Sequence, residues 1–354
     1  MKNLVIDRRV VRDNLRLARE RADGAVIIAD LSANASGMGL CDIASFLRDE
    51  GVRDFAVSDP ADADKLRRRG FTEERLMTLR STSDPDELSE FIELGVVCAC
   101  GSYDAAVAVN GIAENRHTIA EVQIKVDTGL GRYGFLPAET DRIAAIYKYM
   151  SSLAVVGTFT SFSASWRSRK QTLRQLDIFN DVLDRMTDMK LEPGIAHCCD
   201  SAALFRYDFA QMDAVRLDTA LTGRIPGRAV PGIGRVGYIE AGIEEVGWVP
   251  KGHSYGSERR RTTRAATKIA VLSVGYYHGF GVTRRAPAMN LAELIASRAR
   301  PLFARVNGQR ARVLGAVGPM HTLLDVTKAE CTVGDTVILD VDPVDVKGLP
   351  IVYR

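Results

Sequence analysis

Ala25-Val26-Ile27-Ile28-Ala29-Asp30-Leu31 is an apolar run of strand length, and a turn signal and a helix-like segment follow it. The same two-beat unit recurs as far as Leu221, with further strand candidates at Phe55–Asp59, Leu76–Arg80, Val96–Cys100, Glu121–Asp127, Leu153–Ser161, Gly194–Cys199 and Asp213–Leu217. The helices between them carry their own marks. Asp84-Pro85-Asp86-Glu87 combines an N-cap with a proline at the first helical position, and Thr172–Met189 spaces its apolar residues for one helical face. Eight parallel strands with intervening helices predict a closed (β/α)8 barrel over residues 11–221. In such a barrel the chemistry gathers at the C-terminal strand ends. Ser32, Asp127, Ser161, Asp200, Ser201 and Arg216 fall there.

After Leu221 the composition changes. Residues 222–232, Thr-Gly-Arg-Ile-Pro-Gly-Arg-Ala-Val-Pro-Gly, read as a linker. Residues 233–354 hold shorter alternating runs, among them Lys268–Val274, Arg310–Val317 and Thr336–Leu339, with Asn307-Gly308 as a hairpin turn. They predict a β-rich second domain, and two domains suit a chain of 354 residues.

A hydrophobic share of 46%, a charged share of 26% and a net charge of +2 describe an ordinary globular protein with no push toward nucleic acid or membrane. Met1–Arg9 turns charged before any apolar run long enough for a signal peptide, so a cytoplasmic protein is expected. Six cysteines are too few for a disulfide framework at this size. Cys98 and Cys100 read as two side chains on one face of a buried strand. His197-Cys198-Cys199-Asp200 is the one metal-like cluster, but neighbours on a strand point to opposite faces, and no metal is expected. The run Glu258-Arg259-Arg260-Arg261-Thr262-Thr263-Arg264 reads either as a solvated hairpin or as an anion-binding rim.

Leu31-Ser32-Ala33-Asn34-Ala35-Ser36-Gly37-Met38-Gly39 and Lys125-Val126-Asp127-Thr128-Gly129-Leu130-Gly131-Arg132-Tyr133-Gly134-Phe135 are followed by a series of shorter pieces. These are Asp200-Ser201-Ala202-Ala203, Val215-Arg216, His253-Ser254-Tyr255-Gly256, Val274-Gly275-Tyr276, Gly318-Pro319-Met320, Asp325-Val326-Thr327 and Tyr353-Arg354. In this order they resemble the alanine racemase family, the fold-type III enzymes of pyridoxal phosphate. The resemblance implies that residues 1–10 supply a strand to the C-terminal domain. It implies that Arg216 bonds the pyridine nitrogen of the cofactor and Ser201 its phosphate, and that Arg132 reaches the substrate carboxylate. Lys125 matches a position that can be carbamylated to hold that arginine. Tyr255 matches the second catalytic base, delivered across a dimer interface, and Met320 and Tyr353 match positions of the site wall.

The departures from the family pattern fall in the same site. Ser32 stands where the family has the imine-forming lysine, and a serine hydroxyl can neither form an imine nor hold a proton near neutral pH. Ser36 replaces a phosphate-binding tyrosine, Ser161 a histidine, and His321 an aspartate. Asp218 stands beside the phosphate position, where a carboxylate about 4 Å from a phosphate charge costs on the order of 4 kcal/mol at an effective dielectric near 20. The expectation is a pseudoenzyme with no bound cofactor, kept for ligand binding, regulation or partner association. Two alternatives stay open: an active racemase or epimerase using non-covalent pyridoxal phosphate or another base, and a cofactor-free activity built on Ser32, Ser161, Asp200 and His321. The expected partners are a second copy of the chain, a lysine-containing racemase relative in a heterodimer, and a small anionic ligand.

Overall fold

The computed structural model of the chain describes residues 2–227, 229–256, 261–282 and 301–354. Two compact units divide it, residues 9–235 and residues 1–8 with 236–354. In the first unit eight parallel strands close into a barrel: β2 (Val26–Asp30), β3 (Asp54–Val57), β4 (Arg75–Ser81), β5 (Val96–Cys100), β6 (Ala120–Lys125), β7 (Leu153–Phe159), β8 (Ile195–Cys199) and β9 (Ala214–Leu217). β9 returns to β2 in the register Ile27 with Val215.

Each strand of such a barrel is covered by helices outside and by packed side chains inside, so its apolar run is continuous rather than alternating. β5 shows this directly, with all five of its residues buried. Ile28, Ala56, Met77, Val97 and Ala214 from five strands pack together in the barrel interior. The helix Pro85–Glu93 starts as its sequence predicts, with the Asp84 carboxylate accepting from the N–H groups of Asp86 and Glu87. Ser168 caps the helix Arg169–Asp188, three residues ahead of the expected start. β6 stops short of the expected Asp127 because that side chain leaves the sheet to accept from the N–H groups of Gly129, Leu130 and Gly131.

Buried Asn14 ties the first helix, Arg8–Ala22, to the chain that leaves the barrel. Its amide donates to the carbonyls of Leu221 and Gly234 and its oxygen accepts from the N–H of Gly234.

The second unit is built on β10 (Tyr238–Val249), β13 (Thr267–Leu272), β14 (Phe303–Val306), β15 (Gln309–Leu314), β16 (Thr322–Asp325) and β17 (Thr336–Asp340). They run in the order β10-β13-β16-β15-β14-β17, and β17 pairs back to β10, so these six strands also form a closed ring. β1 (Lys2–Ile6) lies between β10 and β18 (Ile351–Tyr353). A separate two-stranded ribbon joins β11 (Ser254–Tyr255) to β12 (Arg261–Thr262). Glu258, Arg259 and Arg260 lie outside the described residues. Asn307 and Gly308 turn β14 into β15 with φ of 47° and 78°, the left-handed pair that a two-residue hairpin of the I′ type requires. Among the described residues no helix is long and apolar enough to cross a membrane.

Candidate ligand site at the barrel mouth

The C-terminal strand ends bring together three hydrogen-bonded groups. The first begins where β2 stops. Ser32 Oγ donates to Asp30 Oδ1 at 2.5 Å, its N–H donates to the same oxygen at 2.9 Å, and Ser58 Oγ donates to Ser32 Oγ at 2.9 Å. Burial pushes the Asp30 carboxyl above its ordinary range, against the opposing pull of the two Ser32 bonds. The segment beyond Ser32 is a left-handed turn, with φ between 53° and 58° at Ala33, Asn34, Ala35 and Ser36. Four consecutive non-glycine residues there cost roughly 1–2 kcal/mol each. Strain of this kind persists where the surroundings over-determine it, and it clusters at functional sites. The Asn34 side chain helps hold the turn by accepting from the N–H of Leu40 at 2.9 Å.

Arg216, at the end of β9, centres the second group. Its guanidinium is 6% exposed and donates to His197 Nδ1 at 2.6 Å, to the Thr160 carbonyl at 2.8 Å and to the Cys198 carbonyl at 3.3 Å. An arginine keeps its protons, so His197 Nδ1 must accept and His197 Nε2 carries the hydrogen toward Gln123 Oε1 at 2.9 Å. Gln123 passes the chain on to the Thr78 carbonyl at 2.8 Å. Desolvation, then the charge of Arg216, holds the imidazole well below its ordinary pKa, and its ring stacks on Phe159 at 5.0 Å. Among the described residues, every group that Arg216 touches is neutral, so its charge is uncompensated at hydrogen-bond range.

The third group joins Ser201 to Asp218. Ser201 Oγ donates to Asp218 Oδ1 at 2.6 Å and accepts from the N–H groups of Asp218 and Ala220 at 3.0 and 3.1 Å. Beside it Asp200 caps the helix Ser201–Arg206 through the N–H of Ala203 and accepts from Ser165 Oγ at 2.7 Å. Burial raises the Asp200 carboxyl, and the Asp218 charge adds to that rise. Ser32 and Asp200 therefore have separate partners, and of Ser161 it is the carbonyl that is engaged, by Gln175 at 3.3 Å.

Lys125 ends β6 as a buried amine, donating to the Leu79 carbonyl at 2.9 Å beneath the rings of Tyr133 and Phe159. Desolvation and the charges of Arg132 and Arg216 bring it down to about 8. Arg132 itself is exposed on the loop after β6. Gly134 fixes that loop: at φ +118° a Cβ would lie 2.5 Å from the Asp127 nitrogen, a space only glycine leaves open.

Tyr255, Met320, His321 and Tyr353 belong to the second unit. Tyr255 is half-buried on β11, Met320 and His321 are exposed in the turn before β16, and Tyr353 on β18 lies under the Arg8 guanidinium at 4.6 Å. Among the described residues no group of three or more His, Cys, Asp or Glu side chains is arranged to hold a metal. Burial pushes the Cys98 and Cys198 thiols up to about 12, which makes both inert.

The structure adds Asp30, Ser58, His197 and Gln123 to the residues read from sequence. His197 carried a signal, since it sits one strand beside Arg216 in a cluster whose residue types suggest a metal before they suggest an arginine partner. Asp30 and Ser58 carried none, because neither belongs to a recognisable motif.

An eight-stranded parallel barrel whose strand ends carry the Arg216 cation and the Ser32 and Ser201 hydroxyls, followed by a ring of antiparallel strands, makes a two-unit α/β protein. Residues 6–226 match the family model "Alanine racemase, N-terminal domain" and residues 224–346 match "Alanine racemase, C-terminal domain". The chain belongs to the alanine racemase family. It is 31% identical over 342 residues to the alanine racemase of Methylacidiphilum infernorum, covering 94% of this chain and 82% of that one. It is 30% identical over 340 residues to that of Thermobifida fusca, covering 94% and 87%. The alanine racemase structure from Streptomyces lavendulae matches the fold with a TM-score of 0.87 at 24% identity, covering 100% and 97% of the two chains. The family depends on pyridoxal phosphate, and this overturns the expectation that the chain has no cofactor. That expectation gave most weight to Ser32, Ser36 and Asp218, which concern the covalent anchor and the phosphate neighbours, over Arg216, the retained residue at the pyridine-nitrogen position, which is buried here.

Proposed function

We propose that this chain holds pyridoxal phosphate at the mouth of its eight-stranded barrel without an imine, and that it binds a small anionic ligand there rather than racemising alanine by the lysine route. The observation that carries this reading is the Ser32 hydroxyl. It sits at the end of β2, where the resemblance places the cofactor lysine, and it is bonded to Asp30 and Ser58. The residues present fit the group at its ring end. Arg216 is buried, positively charged and matched only by neutral acceptors, so it can donate to a pyridine nitrogen without losing an ion pair.

Bound pyridoxal phosphate supplies an electron sink for a carbanion at an amino-acid α-carbon. The chain's own contributions are separate from that chemistry. Arg216 orients the ring, while at the phosphate end Asp218 takes the Ser201 hydroxyl. Arg132 supplies an exposed cation for a ligand carboxylate, and Tyr255 carries a proton at its phenol oxygen. A homodimer sharing Tyr255 between subunits is the assembly that this reading implies.

A second reading, an active racemase with a different base, is favoured by one observation. The chain of hydroxyls from Ser58 through Ser32 ends on the half-buried Asp30 carboxylate, a group able to take a proton. An absorbance titration with pyridoxal phosphate, run beside an alanine racemisation assay, separates the two. Reversible uptake that gel filtration removes, with no racemisation, supports the first reading. Racemisation that disappears in Asp30→Asn supports the second.

A further inference from the structure

Gln123 of β6 is a polar side chain in the apolar interior of the barrel, 3% exposed. With His197 it lines a small internal cavity whose other walls are mostly apolar, among them Ile28, Met77, Val97 and Ala214. A buried amide needs partners at both ends, and the two ends are not interchangeable. Nε2 lies 2.8 Å from the Thr78 carbonyl, which only accepts, so the amide is held in one orientation and Oε1 faces His197 Nε2 at 2.9 Å. An amide oxygen also only accepts, so the imidazole carries its hydrogen on Nε2 and turns a bare Nδ1 to Arg216 at 2.6 Å. The Thr78 carbonyl thus dictates, from the inner end of the chain, the tautomer that the Arg216 cation requires at the outer end. Among the described residues His197 Nε2 has no other partner. The one charged side chain beside the cavity, Arg75, is itself only a donor, with its Nε on Asp54 at 2.6 Å.

We propose that Gln123 is a positioning residue for the barrel-mouth site: its amide holds His197 in the tautomer and orientation that accept from Arg216, and so keeps that guanidinium aimed at the ligand. That Arg216 meets the ring of pyridoxal phosphate rests on the function proposed above; that Gln123 governs His197 does not. Without the amide, a buried Nε2–H has no acceptor, a penalty that the imidazole escapes by moving its hydrogen to Nδ1. Nδ1–H then meets an arginine donor, and Arg216 is left with backbone carbonyls alone. A glutamine that merely filled the core would lose stability on removal of its amide and nothing else.

The test uses the full-length protein with isotope-labelled histidine. Of its five imidazoles, His197 is the one whose NMR signal disappears in His197→Phe. In the unmutated protein near neutral pH, His197 is expected to carry hydrogen on Nε2 and none on Nδ1. Gln123→Met, of nearly the same length, should move a measurable fraction of that hydrogen to Nδ1. Equilibrium dialysis then compares pyridoxal phosphate binding in four proteins: unmutated, Gln123→Met, His197→Phe and the double variant. Gln123→Met should weaken binding about fivefold or more in the first background, where it strands a buried donor, and change it by less than about twofold beside His197→Phe, where it has nothing left to act through. Circular dichroism verifies folding. Should Gln123→Met not fold, the tautomer of the unmutated protein decides together with Gln123→Asn, whose shorter amide cannot span Thr78 and His197. Failure of the unmutated protein to take up pyridoxal phosphate would count against the proposed function alone, and the His197 signals would still decide the role of Gln123. The proposal is overturned by hydrogen on Nδ1 in the unmutated protein, by a His197 signal that Gln123→Met leaves unchanged, or by a Gln123→Met loss of affinity that persists in full beside His197→Phe.

Discussion

The Arg216 guanidinium lies 2.6 Å from Nδ1 of His197 and fixes that imidazole as a neutral acceptor, with its remaining proton directed at Gln123. One contact thereby couples the barrel-mouth cation to the barrel interior. It also gives the fold a signature in pH. The folded His197 titrates well below its ordinary value of 6.5, so below about that pH the unfolded chain binds a proton that the folded chain refuses. Stability therefore rises with pH across this window and is lost as the pH falls through it.

Thermal melts should thus show a midpoint that drops from pH 7.5 to pH 5.5, with a shallower drop in His197→Gln, whose amide oxygen can still accept from Arg216. Asp30 and Asp200 act in the opposite direction. Their raised carboxyl pKa values make the folded chain the better proton binder just above 3.8, so their contribution declines as pH rises there. An equal slope in wild type and His197→Gln would show that His197 is not the group responsible.

Asp218 bears on cofactor affinity. Its carboxylate takes the Ser201 hydroxyl at 2.6 Å, the hydroxyl that the resemblance assigns to phosphate. Asp218→Asn keeps an acceptor for Ser201 and removes the charge, so pyridoxal phosphate should bind at least about tenfold more tightly, within the ~4 kcal/mol that the charge contributes at close range. Equilibrium dialysis measures it, and unchanged affinity would mean that the carboxylate turns away from the ligand.

Restoring the lysine alone should accomplish little. In Ser32→Lys the new amine meets Asp30, whose oxygen now lies 2.5 Å from Ser32 Oγ, and an ion pair there holds the amine protonated and unreactive toward an aldehyde. Ser32→Lys combined with Ser36→Tyr and Asp218→Gly should develop an imine absorbance band more readily than the single variant. A stable band in Ser32→Lys alone contradicts this reading of Asp30 and Asp218.

Gly134→Ala tests the loop after β6. The added methyl meets the Asp127 backbone at 2.5 Å in a left-handed conformation, and a cost of about 1–3 kcal/mol in urea unfolding is expected. Loss of the fixed loop should weaken ligand binding through Arg132 at the same time.

Much of this was legible in the sequence. The barrel followed from eight buried apolar runs, since parallel strands leave no polar face to break the pattern, and the Asn307-Gly308 turn followed from its demand for left-handed backbone. The strand ends near Asp127 were not legible, because a carboxylate that accepts from three loop N–H groups looks in sequence like one more strand residue. Nor was the left-handed turn from Ala33 to Ser36, which defies the local preference of alanine and serine. The Asp30 and Ser58 partners of Ser32 come from two different strand ends, a proximity that only the closed barrel creates.

Whether Ser32 leaves the chain without an imine is tested most directly by borohydride. The protein is equilibrated with pyridoxal phosphate, reduced, and its mass compared with that of the untreated 38.7 kDa chain. A site that holds the cofactor without an imine predicts an unmodified mass, with cofactor recovered free in solution. A pyridoxyl adduct that maps to a single barrel lysine, with buried Lys125 at the end of β6 the first to inspect, would contradict it.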